Sequence, residues 1–166
     1  MARSRAAFSE LKDNWQAHWP QACDQSGLLV ATLYRLQEYF AQLDQQVFAR
    51  FGLQGAEFEV LATLRSVGAP YCLSPTELYR LMLVSSGGMT KILARLEDKA
   101  LISRPQNPED GRSRLVQLTG AGQAQVEACN QALLAKEHLA TQWLQGDQQA
   151  LSEQLQQWLN QLESRG

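Results

Sequence analysis

Ser74-Pro-Thr-Glu-Leu-Tyr-Arg-Leu-Met-Leu-Val-Ser-Ser-Gly-Gly-Met-Thr-Lys-Ile-Leu-Ala-Arg-Leu-Glu-Asp-Lys-Ala-Leu-Ile-Ser-Arg104, followed at a short distance by Asp110-Gly-Arg-Ser-Arg114, carries the reading of this 166-residue chain. Ser74 and Glu77 have the spacing of a capping box, and Pro75 stands at the first helical position, so a helix begins there. Leu78, Leu81 and Met82 give it one apolar side. Ser85 or Ser86 caps a second helix running to Lys99, with Met89, Ile92, Leu93 and Leu96 at helical spacing. Thr90, Lys91 and Arg95 occupy other parts of that helix and are available to a ligand. Leu101–Arg104 and Arg114–Leu118 read as two strands joined by Pro105-Gln-Asn-Pro-Glu-Asp-Gly, a run of turn formers. Two short helices, a tight turn and a hairpin with arginines near its tip describe a winged helix-turn-helix, which lays one helix in a DNA major groove.

Charge is distributed to match. The chain carries a net −2, but Ser74–Thr119 holds seven basic residues (Arg80, Lys91, Arg95, Lys99, Arg104, Arg112, Arg114) against five acidic ones. A locally basic face on an acidic body suits selective binding to DNA rather than coating of it. Met1–Phe8 has basic residues but no apolar segment behind them, so no signal peptide is read, and no apolar run is long enough to cross a membrane. Cys23, Cys72 and Cys129 are odd in number and irregular in spacing, which fits reduced thiols in a cytoplasmic protein. Neither a metal cluster, a cofactor motif, a phosphate loop nor a catalytic Ser/His/Asp arrangement is legible, so an enzyme is not expected.

The flanks read as helices. Phe8, Leu11, Trp15 and Trp19 give one side of a short helix closed by Pro20. A long helix from Ser26 to Phe51, ended by Gly52, has Leu29, Leu33, Leu36, Phe40, Leu43, Val47 and Phe51 along a seam that requires a partner helix. A third helix spans Ala56–Val67, and Gly68-Ala-Pro70 is a loop. Thr119 caps a helix to about Gln145; Gly146 and Asp147 break it before a last helix carrying Leu151, Leu155, Trp158, Leu159 and Leu162. The expected fold class is mainly α with a small β wing. It comprises one domain over 1–166, with dimerisation helices in 8–51 and 120–163 and a DNA-binding lobe in 56–119.

Four segments in this order resemble the multiple-antibiotic-resistance regulator (MarR) family: Glu57-Phe-Glu-Val-Leu-Ala-Thr-Leu; Leu73-Ser-Pro-Thr-Glu-Leu; Ser86-Gly-Gly-Met-Thr with Leu93-Ala-Arg-Leu-Glu; and Asp110-Gly-Arg followed by Val116-Gln-Leu-Thr-Gly. The resemblance implies a homodimer joined through its terminal helices. It also implies a pseudo-palindromic double-stranded operator, most often repressed, and release by a small molecule or oxidant. The competing reading is a winged-helix protein-interaction module with weak or no DNA binding.

On this reading the DNA face comprises Ser74, Pro75 and Thr76 at the first helix start, and Ser85, Ser86, Gly87, Gly88, Thr90, Lys91 and Arg95 on the recognition helix. Arg112 and Arg114 complete it from the wing. Gly87 and Gly88 in a first helical turn cost roughly 1 kcal/mol each relative to Ala. Either close approach of backbone to a phosphate or close passage of a neighbouring helix accounts for them. In the family's Asp-x-Arg motif the acid stabilises the wing, which assigns Asp110 a structural role; Gly111 stands where many members carry an arginine. Cys23 invites comparison with peroxide-sensing members but lies several residues before their sensor position, and nothing basic flanks it, so a thiol switch is not expected. The extra N-terminal helix resembles the subgroup responsive to urate and related organic acids. It implies an effector pocket for a small anionic or aromatic molecule, with Trp15, His18, Trp19, Glu59 and Arg65 as its candidates. Glu59 replaces the usual aspartate, and Ser66 stands where that subgroup has arginine, with Arg65 adjacent.

Overall fold

Helix limits follow the local punctuation of the chain. The computed structural model describes residues 6–82, 88–110 and 113–165. α1 (Phe8–His18) stops two residues short of Pro20 and leads through a 3₁₀ turn, Pro20–Ala22, to α2 (Gln25–Arg50). Asp24 Oδ1 accepts the Gly27 N–H at 2.6 Å, satisfying a donor at the start of α2. At the other end Gly52 takes φ +63°, the left-handed conformation that closes helices, and α3 (Gly55–Ser66) follows.

The chain forms two compact units, residues 1–46 and 47–166. In the first, Arg35 ties α2 to α1: its guanidinium lies 6.0 Å from the Phe8 ring centroid and its Nη2 donates to the Ala6 carbonyl at 3.3 Å. Phe8, Leu11 and Trp15 are half-buried as the helical period requires. Trp19 departs from that expectation, because it lies beyond the last helical residue at φ −150° and is 62% exposed. Along the expected seam of α2, Leu33, Phe40 and Leu43 are half-buried, while Leu29 and Leu36 are exposed.

The second unit is built around α3, whose Val60, Leu61 and Leu64 have no exposed surface. Leu78 of α4 (Pro75–Leu81), Leu96 of α5 (Met89–Asp98) and Val116 of β3 (Val116–Leu118) are equally buried. Each such side chain contributes roughly 1.5–3 kcal/mol by leaving water. Phe48 stacks on Phe58 with centroids 4.7 Å apart. β3 is the middle strand of an antiparallel sheet, flanked by β2 (Ile102–Ser103; Ile102 opposite Leu118) and β1 (Cys72–Leu73; Leu73 opposite Val116).

Strand β1 corrects the sequence reading, which placed only a loop before α4. A two-residue strand is too short to show an alternating pattern, and it exists because β3 offers it hydrogen-bonding groups. A second correction concerns Gly88, expected inside the recognition helix. It is the residue preceding α5, at φ +87° and ψ +30°, so glycine serves a left-handed backbone there rather than a helical one. The expected caps Ser85 and Ser86, together with Gly87, lie outside the described residues.

After the sheet, Thr119 caps α6 (Gly120–Thr141) as expected, its Oγ1 accepting the Gly122 N–H at 3.0 Å. α6 ends four residues earlier than expected. A 3₁₀ segment, Gln142–Asp147, with Gln145 at φ +51°, turns the chain into α7 (Gln148–Glu163).

Candidate nucleic-acid interface

Helix α4 starts with the capping box read from the sequence. Ser74 Oγ accepts the Glu77 N–H at 3.2 Å, and Glu77 Oε2 accepts the Ser74 N–H at 3.0 Å and its hydroxyl at 2.7 Å. These bonds, the Ser74 hydroxyl first, hold the Glu77 carboxyl below the usual carboxylate range. The start of α4 is therefore rigid where Pro75 and Thr76 face the first turn of α5. Between them lies an open groove of about 400 Å³ lined by Pro75, Thr76, Tyr79, Thr90, Leu93 and Arg104. Ile92, Leu93 and Leu96 turn into the core, which leaves Thr90 and Lys91 exposed on the outer side of α5.

The wing is shaped by polar groups rather than by apolar packing. Arg104 Nε donates to the Leu115 carbonyl at 2.9 Å and its Nη2 to the Arg114 carbonyl at 3.4 Å. Asn107 N donates to the Ser113 carbonyl at 3.0 Å, and Asn107 Oδ1 accepts the Glu109 N–H at 3.1 Å. The Asp110 carbonyl accepts both the N–H and the hydroxyl of Ser113, at 3.0 and 3.1 Å. Arg114 is exposed beside an isolated bridge to Gln106. Arg112, the wing residue singled out from the sequence, lies outside the described residues. Sequence reasoning placed Arg104 and Asn107 in the hairpin but gave neither them nor Ser113 a part in holding it; Asn107-Pro108 was a visible turn signal, but the Arg104 bonds depend on strand pairing.

A further cluster joins the recognition helix to α3. Glu57, only 1% exposed, receives Arg95 Nε on Oε1 at 3.0 Å and Lys99 Nζ on Oε2 at 2.8 Å. Oε2 also accepts the Gln54 N–H at 2.9 Å. Arg95 Nη2 bonds Gln54 Oε1 at 2.9 Å, and Lys99 Nζ bonds the Gly52 carbonyl at 2.9 Å. Burial would raise the Glu57 pKa, but hydrogen bonds from Lys99, Gln54 and Arg95 and the charge of Lys99 outweigh it, and the carboxyl lies below its ordinary range. Arg95, expected at the DNA face, is thus engaged inside the protein. Glu57 carried no sequence signal for this task beyond its place three residues after Gln54.

Of the expected effector residues, Trp15, His18 and Trp19 belong to residues 1–46, and Glu59 and Arg65 to residues 47–166. Arg65 Nε donates to Glu127 Oε1 at 2.6 Å, and its guanidinium lies 5.2 Å from the Tyr71 ring centroid. Burial raises the pKa of Cys129, and burial with the charge of Glu77 raises that of Cys72. Among the described residues no group of acidic, histidine and cysteine side chains is placed to hold a metal ion, and no helix is long and apolar enough to cross a membrane.

A capped helix, a second helix presenting Thr90 and Lys91, and a polar wing beside them define a winged helix-turn-helix. The chain belongs to the MarR family, whose sequence pattern matches residues 51–113. It is 32% identical to the HTH-type transcriptional regulator PecS of Dickeya dadantii over 114 residues, 69% of each chain. Identity to the multiple antibiotic resistance protein MarR of Escherichia coli is 36% over 96 residues, 58% of this chain and 59% of that protein. A crystal structure of a cysteine-to-serine mutant of E. coli MarR complexed with operator DNA superimposes with a TM-score of 0.66 at 29% identity. It covers 79% of this chain and 92% of that one.

Proposed function

We propose that this chain is a sequence-specific, homodimeric transcriptional repressor that leaves its operator when a small anionic or aromatic effector binds. The observation that carries the reading is the α4–α5 arrangement, in which a rigid helix start and the outer side of α5 converge beside the wing. Thr76, Thr90, Lys91 and Arg114 are exposed there. We assign phosphate and base-edge contacts to these residues, with Ser74, Pro75 and Gly88 presenting backbone. We also assign DNA contacts to Ser85, Ser86 and Gly87, and a minor-groove contact to Arg112. Paired recognition helices require half-sites about 10 bp apart. The homologues are DNA-binding transcriptional regulators, and MarR has been crystallised with operator DNA.

Association through the terminal helices has its support in exposed apolar side chains. Leu29 and Leu36 are exposed on α2, and Leu151, Leu155, Leu159 and Leu162 are exposed along α7; contiguous apolar faces of the α7 kind are rare on soluble monomers. For the effector, the support is the added helix α1 with Trp15, and Trp19 just after it; the resemblance suggests urate-like organic acids as the first class to test. A mobility-shift assay with the chain's own upstream intergenic DNA tests the central reading. Retarded operator but not scrambled duplex is expected; no retardation at micromolar protein favours the protein-interaction alternative. Titration with urate, salicylate and small carboxylic acids, following tryptophan fluorescence and operator release, tests the effector. No change in either signal removes it.

A further inference from the structure

Arg95 of α5 and Lys99, the residue that caps its C-terminus, are about one helical turn apart, and both reach the same buried carboxylate. Their side chains remain 42% and 38% exposed, so solvent reaches them, yet Arg95 Nε and Nη2 and Lys99 Nζ each donate to groups of the protein. A DNA phosphate that drew either cation away would leave Glu57, 1% exposed, short of its partners. Removing one partner of a buried ion pair is strongly unfavourable. The attachment also has a lever arm. Lys99 stands eight residues beyond Lys91, about 12 Å along the helix axis. The far end of α5 is therefore pinned to the Gly52–Glu57 turn while the near end is presented outward.

We infer that Glu57 is a positioning residue for DNA recognition: it withdraws Arg95 and Lys99 from the DNA face and uses them to set the angle at which α5 is presented. The inference rests on the proposed DNA-binding function. Its consequence is electrostatic as well as geometric. Of the seven basic residues between Ser74 and Thr119, Arg95 and Lys99 spend their donors on the α2–α3 turn and Arg104 bonds the wing carbonyls. Salt-dependent phosphate binding then falls to Lys91, Arg114 and the other basic side chains of the face. The basic content of the segment overstates the number of counterions released on binding.

The test is fluorescence-anisotropy titration of the full chain against its own upstream duplex and a scrambled duplex over a range of KCl concentrations. Lys91→Met should reduce the slope of log affinity against log salt by about 0.9, the value for one phosphate contact. Arg95→Met and Lys99→Met should weaken operator binding several-fold without changing that slope. Glu57→Gln should compress the ratio of operator to scrambled affinity by roughly tenfold, because a misangled helix keeps phosphate contacts and loses base contacts. A fall in slope for Arg95→Met or Lys99→Met equal to that of Lys91→Met would overturn the inference, and so would an unchanged ratio in Glu57→Gln. If Glu57→Gln fails to fold, the two cation variants decide by slope alone. Amide hydrogen exchange without DNA separates this from the function itself. Lys99→Met should expose α5 and the Gln54–Glu57 amides selectively, and uniform protection would overturn the clasp. A wild-type chain that binds neither duplex would instead overturn the DNA-binding function, and one that binds both equally would overturn its sequence specificity.

Discussion

Gly122 packs directly against the carbonyl of Leu101: a β-carbon built on Gly122 would collide with that oxygen and stand 2.9 Å from Leu118 Cδ1. The same carbonyl accepts the Thr119 N–H at 3.1 Å, and the Thr119 hydroxyl is shared between the Ala100 and Leu101 carbonyls at 2.8 and 3.0 Å, so the start of α6 is seated on the end of the recognition lobe. Gly122→Ala should destabilise the protein by about 1–3 kcal/mol through overpacking, despite alanine's better helix propensity. Urea denaturation at fixed protein concentration checks this; equal or greater stability would refute it.

Ala100 has the opposite status. It sits at φ +55° just after α5, where Ala100 N bonds the Glu97 carbonyl at 2.8 Å and Leu101 N bonds the Leu96 carbonyl at 3.0 Å. This is a Schellman ending with alanine in the place glycine usually holds. Left-handed conformation costs an L-residue roughly 1–2 kcal/mol, partly offset by the greater entropy glycine loses on folding. Ala100→Gly should therefore stabilise by about 0.5–1 kcal/mol, raising the thermal midpoint by a few degrees. A lower midpoint would contradict the argument.

Acid should weaken the Glu57 clasp. Its carboxyl titrates below the ordinary glutamate value, so the folded state binds this proton less readily than the unfolded chain does. The stabilisation is complete above about pH 4.3 and is lost as pH falls through the lower folded pKa. At neutral pH Glu57→Gln should cost about 1–3 kcal/mol, and that difference should shrink as the medium becomes acidic. Denaturation curves of both proteins between neutral pH and about pH 3.5 measure it; a constant difference would show that the charge of Glu57 is not what stabilises.

Substitutions on the proposed DNA face should separate from those elsewhere. Arg112→Ala and Arg114→Ala should each weaken operator binding by roughly tenfold or more. Arg35→Ala on α2 and Lys136→Ala on α6, both outside the proposed face, should change it less than twofold once folding is verified. Equal losses in both groups would misplace the face.

Sedimentation should find a dimer at micromolar concentration. Leu155→Glu and Leu159→Glu on α7, exposed at 38% and 53% in the single chain, should shift the equilibrium toward monomer. A wild-type monomer at that concentration would remove the association argument.

Local chemistry accounts for most of the architecture. Ser74, Pro75 and Glu77 specify a helix start from four consecutive residues, Gly52 ends α2 through a backbone conformation it adopts freely, and Thr119 caps α6 with its own hydroxyl. The 3.6-residue spacing of Ile92, Leu93 and Leu96 oriented α5, because the period alone tells which side meets the core. Three features were not legible, and two of them, β1 and the Arg95 bonds, depend on groups distant in the chain. β1 exists only where β3 pairs with it. Gly88 takes its left-handed backbone outside the helix rather than in its first turn. Arg95 reads as an outward cation on any helical projection, yet it lies against Glu57, 38 residues away. Periodicity specifies a face of a helix, but it carries no information about which buried carboxylate waits on the neighbouring one; that assignment came from packing α3 against α5.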